Sequence, residues 1–126
     1  MAITSTLTTS FKKELLQGVH NFNKASSPDT FKLALYSSSA SLDASTTAFT
    51  TSGEVTGTNY TSGGATLTLK TGTPTTDGTT ALVDFDNLTF SNVTVTAAGA
   101  LIYNSTDSNK AVCVIDFGKD ITATAS

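Results

Sequence analysis

A mainly β fold, an antiparallel β-sandwich or barrel carrying one N-terminal amphipathic helix, is predicted by three observations. Ser and Thr make up about a third of the 126 residues, and Thr, being β-branched, suits a pleated, half-wet surface. Short apolar–polar alternations recur with Gly, Pro, Asn or Asp turn signals between them, at the spacing of sandwiches and barrels. Only residues 10–23 carry a helical period instead. A chain of this length fits one domain and buries enough surface for a core without metals or disulfides. The expected organisation is an extended arm over 1–9 and a single β-rich domain over 10–126.

"AITSTLTT" (2–9) alternates weakly around Ile3 and Leu7 and reads as an extended arm or edge strand. "SFKKELLQGVHNFN" (10–23) sets Phe11, Leu15, Val19 and Phe22 on one stripe of about 80°, flanked by Leu16. Ser10 is placed to cap this helix, and Gly18 to let it approach a sheet closely. His20 falls opposite the stripe, near Lys13, and is expected in solvent. "ASSPDT" (25–30) is a turn. "FKLALYS" (31–37) is the clearest strand, with Phe31, Leu33 and Leu35 inward and Lys32, Ala34 and Tyr36 outward.

A long excursion follows, holding short strands near 48–51 and 54–58 and ending at Gly63-Gly64, before "ATLTL" (65–69) resumes the alternation. Residues 70–80 read as a loop with the Asp77-Gly78 turn pair. Strands are expected at 81–86, 88–91, 93–96, 100–103 and 111–117, and "ITATAS" reads as the opening of one more. In the run 111–117, Cys113, Ile115 and Phe117 fall on one face and Val112 and Val114 on the other. Both faces are apolar, so both need a cover: a second sheet with the helix, a neighbouring subunit, or both.

The chemistry on offer is sparse. The net charge is −3, the seven basic residues are all Lys and they are scattered, which argues against nucleic acid as a partner. "MAITSTLTTS" lacks the order of a signal peptide, and no apolar run reaches the length of a membrane span, so no membrane partner is expected. Cys113 stands alone and reads as a buried, inert thiol. One His is too few for a triad or a multi-histidine metal site. Asp84 and Asp86 share a strand face and pose a calcium or glycosidase reading, but they match the wet face of a half-buried strand better. The glycines of "GEVTGTNYTSGG" belong to turns, not a phosphate loop. Tyr60 is the one aromatic placed for a sugar platform, and reads better as a packing or contact residue. No catalytic residue, metal or cofactor is expected, and the chain is not expected to be an enzyme.

Four stretches, "SFKKELLQGVHNF", "FKLALYSSSASLDASTTAF", "GEVTGTNYTSGGATLT" and "GALIYNSTDSNKAVCVIDFG", together over half the chain, resemble small structural proteins of tailed bacteriophages, including cyanophages. The resemblance implies a virion component assembled in the host cytoplasm. It points to a capsid decoration or cement subunit, β-rich and homotrimeric, that binds the major capsid protein or other virion proteins. A tail or neck component is the alternative, and a carbohydrate-binding adsorption module a more distant one. Ile3, Leu7, Tyr36 and Tyr60 are the expected interface residues. Similar proteins continue for another strand beyond "ITATAS".

Overall fold

A computed structural model describes residues 2–125. The two clearest apolar runs and "FKLALY" form its centre, because each alternates strongly enough to bury both faces of a sheet. In chain order the elements are β1 (Thr6–Leu7), α1 (Thr9–Leu16), β2 (Phe31–Tyr36), β3 (Ala65–Thr66), β4 (Thr75–Asp77), β5 (Thr80–Leu82), β6 (Val95–Asn104) and β7 (Lys110–Ala123). The fold is mainly β with one short N-terminal helix. Five strands make an antiparallel sheet in the order β1-β7-β6-β2-β3, and β4-β5 form a separate hairpin. The loop expected over 70–80 is therefore largely this hairpin, turning at Gly78 with φ 62°.

Strand register sorts the side chains. Leu33 pairs with Ile102 and Ile102 with Cys113, while Ala34 pairs with Leu101 and Leu101 with Val114. One face therefore carries Ala34, Tyr36, Leu101, Tyr103 and Val114, packed with Ala40 and Leu42 and against Ile3 and Phe49. The other carries Phe31, Leu33, Leu35, Ala100 and Ile102. Val112 and Val114 do not share a face as alternation predicts. Tyr103 pairs with Ala111 and Ile102 with Cys113, so Val112 is the extra residue of a bulge. It packs instead with Phe11 and Phe31.

Each face is covered from within the chain. Segment 37–50 folds over the first face and is pinned by the N-terminal residues, with Thr4 N–H donating to Leu42 O at 2.9 Å and Leu42 N–H to Ala2 O at 3.0 Å. The second face takes α1 and Phe22 at one end, with Leu67 and Phe85, and Val55, Val93, Tyr60 and Phe90 at the other. These covering segments pair with one another only at isolated bridges, Leu69 with Phe85 and Thr58 with Thr94. The strands expected at 48–51, 54–58 and 88–91 are accordingly loop, since their scattered apolar residues anchor a layer without sustaining a ladder. Of the covers open to the central hairpin, the helix takes part of the second face, and the chain's own loops stand where a second sheet was expected.

Residues 2–9 are not a free arm. Residues 2–8 are extended and Thr9 opens α1; β1 is the edge strand expected as the alternative to an arm, paired with β7 at Val114 and Cys113, and Thr8 is fully buried. Thr8, not Ser10, caps α1: its Oγ1 accepts from Phe11 N–H at 3.2 Å. The helix also ends at Leu16 rather than Asn23. Gly18 adopts φ +73° with nothing within 4 Å of its would-be Cβ, so it serves the left-handed turn and not a close approach. Gly18 N–H donates to Leu15 O and Val19 N–H to Glu14 O, the paired bonds of a Schellman stop. "ITATAS" contributes its first residues to the end of β7, where Ile121, Thr122 and Ala123 pair with the start of β6.

Candidate functional site

The early stop of α1 turns the chain back and carries His20 inward. Its side chain is fully buried, a correction to its expected place in solvent. His20 Nε2 lies 2.9 Å from Glu14 Oε1, and Nδ1 lies 3.0 Å from Asn104 Nδ2 at the end of β6. The Asn104 amide is oriented by its oxygen, which accepts from Thr106 N–H and Asp107 N–H at 3.0 and 3.3 Å. Its NH2 group therefore faces the imidazole and donates to Nδ1, which leaves the proton of neutral His20 on Nε2, donated to Glu14. Asn104 Nδ2 also donates to Asp29 Oδ2 at 2.8 Å, with Asp107 a weaker third acceptor at 3.4 Å. Burial opposes the Asp29 charge, yet hydrogen bonds from Asn104 and the Asn21 N–H outweigh it and hold the carboxyl below its ordinary range.

This hub ties the post-helix turn, the 25–30 turn and the β6–β7 hairpin together beside Phe11, whose ring centroid is 4.9 Å from that of His20. It has the residue types of acid–base chemistry but no access for a substrate, because the imidazole is closed off and both ring nitrogens are engaged. Its members are far apart in sequence with no motif between them, and only the lone His was a signal that could have led to it.

Glu54 anchors a second polar cluster. Its carboxylate accepts from Tyr60 Oη at 2.8 Å, Ser62 Oγ at 2.7 Å and Gly63 N–H at 2.7 Å. Tyr60 Oη in turn accepts from Leu35 N–H at 3.0 Å, and its ring packs on Phe90. Tyr60 is thus a packing residue that fastens the 54–64 loop to β2, neither a sugar platform nor an exposed contact. Tyr36, expected outward, is wholly buried and donates to Thr50 O at 2.6 Å. Burial pushes the phenols of both Tyr36 and Tyr60 up. Ile3 is half-buried against the first core cluster. Of the four expected interface residues Leu7 is exposed, at 48%, Ile3 and Tyr60 are partly buried, and Tyr36 is buried.

Asp84 and Asp86 are exposed on the wet side of their segment, with Asp84 Oδ2 4.0 Å from Lys70 Nζ. Among the described residues no group of three or more His, Cys, Asp or Glu is arranged to hold a metal ion. Cys113 is half-buried, and burial pushes its thiol up to about 11. An open groove of about 450 Å³ is lined by Ser37, Glu54, Thr56, Thr94, Thr96 and Thr122, among others. Its one carboxylate, Glu54, is already held by its three donors. No described helix is long and apolar enough to cross a membrane.

Among the described residues the surface carries large apolar side chains in three places, one of them Ile121 alone near the end of β7. Leu15 and Leu16 lie exposed on α1, Leu16 at 92%, shortly after exposed Leu7. Leu82 and Val83 lie exposed at β5, on a hairpin whose strands bury nothing. No family model, curated protein or solved structure matches the chain.

Proposed function

We propose that the chain is a non-enzymatic structural subunit of a tailed-phage virion, a decoration or cement protein that associates with itself and with the major capsid protein. The resemblance of its four quoted segments to phage structural proteins carries this reading. The distribution of polar groups supports it: His20, Glu14, Asn104 and Asp29 bond one another, and Glu54 holds its own loop. Ionisable groups spent on the scaffold suit a protein whose work is adhesion. So does a Thr-rich surface with several exposed apolar side chains, since interface cores are poor in charge. Symmetry then repeats a weak contact many times over a particle, and avidity makes the sum strong.

The test is to add the purified chain to undecorated capsids and to count its copies in intact virions by quantitative mass spectrometry. Saturable binding and hundreds of copies are expected. Roughly six to a few tens of copies would move the protein to the tail or neck by the symmetry of those parts, and absence from purified particles would overturn the reading.

A further inference from the structure

Two of the exposed apolar places, on α1 and on the β4-β5 hairpin, carry opposite charge. On α1, Lys12 lies three and four residues before Leu15 and Leu16, and Lys13 three before Leu16, so the lysines and leucines share a face. Both lysines are exposed and neither has an acidic partner among the described residues. Glu14, the one acid on the helix, is turned inward to His20. On the hairpin, Thr75 pairs with Leu82 and Asp77 with Thr80. Cross-strand partners share a face, and residues two apart do as well. Leu82 is therefore bracketed by Asp77 and Asp84, of which only Asp84 has a cation near it, at 4.0 Å. A two-stranded hairpin with both faces in water is marginal unless something packs on it, and among the described residues no other strand and no helix packs substantially on β4 or β5.

We infer that the Lys12/Lys13/Leu16 face of α1 docks on the Asp77/Leu82/Asp84 face of the β4-β5 hairpin in a second copy of this chain. The partner is another copy because the chain itself supplies both halves, a basic-rimmed apolar face and an acidic-rimmed one. Such a contact closes into a pair or ring, or runs on as a chain, according to the rotation between copies. This inference deepens the proposed structural role and rests on it, but it has its own test.

Sedimentation velocity of the intact chain over a concentration series should show self-association that weakens as salt is raised. Lys12→Glu/Lys13→Glu makes the chain more acidic, and Asp77→Lys/Asp84→Lys brings it near neutrality. Both are nonetheless expected to weaken association, by about tenfold or more, because each sets like charges against like. An equimolar mixture of the two should associate as the unaltered chain does. Leu16→Ser should weaken association without touching charge, and far-UV circular dichroism confirms that each variant is folded. A chain that stays monomeric, variants that associate unchanged, or a mixture that fails to restore association would each overturn the pairing. Capsid binding is scored separately, so a monomer that still decorates capsids refutes this contact and leaves the structural role standing.

Discussion

Asn104 is the residue whose loss the structure prices most clearly. Truncation to Ala removes the donor to His20 Nδ1 and Asp29 Oδ2 and the acceptor for the Thr106 and Asp107 N–H groups. The His20 nitrogen is sealed from water, whereas Asp29 and the two amides are near enough to the surface to rehydrate in part. Stripping a buried polar group costs about 1–3 kcal/mol, more where the partner is charged, so the total for Asn104→Ala is about 4 kcal/mol. At about 2.1 cal/mol/K per residue, the chain has an unfolding entropy of about 0.26 kcal/mol/K, and Tm should fall by roughly 15 °C. Thermal unfolding followed by circular dichroism reads this directly, with calorimetry to check that the transition is two-state. A double-mutant cycle with His20→Leu should return a coupling of about 1–2 kcal/mol. A Tm within about 3 °C of the unaltered protein, the range of an ordinary surface change, would refute the hub as the clamp between these turns.

Other expectations follow from the same geometry. Deleting residues 2–9 removes β1 and the buried cap Thr8, so the truncated chain should lose cooperative unfolding rather than merely lose a tail; Thr8→Ala alone should cost about 0.5–2 kcal/mol in a denaturant titration. Gly64→Ala should be far more harmful than Gly72→Ala by the same measurement. Both sit at positive φ, but a Cβ at Gly64 would fall 1.8 Å from Leu33 O, while one at Gly72 meets nothing within 4 Å. Cys113 keeps its proton in the folded protein up to about 11 against an ordinary 9.0, so the native state holds a proton that the unfolded chain gives up. Its contribution is intact below about pH 9 and is lost as pH rises from 9 to 11. Cys113→Ala should flatten stability against pH in that window, leaving the share due to the buried tyrosines.

The centre of this fold is legible in the sequence because β2, β6 and the first half of β7 carry apolar residues on both faces. The covering layer is not, since a loop held by one anchor per turn, such as Leu42 or Val55, shows no period. The helix end was written in the chain as Gly18, but a glycine on an apolar margin serves close approach and left-handed turns equally, and only the backbone angle decides. His20 followed Gly18: with the helix stopped at Leu16 its place on a helical wheel has no meaning. Tyr36 lay on the face that alternation assigns to water, and was buried by a segment some residues further along that carries no strand signal. Asn104 was unreadable for a different cause, because its partners are brought together by three separate turns.

The pairing of β1 with β7 joins residues 6–7 to 113–114, and Thr8 N–H reaches Val112 O across the whole chain. During synthesis Ala2 and Thr4 can already meet Leu42, but residues 6–8 have no partner until β7 is made. The helix lacks the floor it rests on and the cap lacks its socket until the last long strand has cleared the exit tunnel. Contacts of such sequence separation form slowly, so closure of this sheet edge waits on the synthesis of β7. Until then the greasy face of the helix is on offer to chaperones and to sister chains on the same polysome.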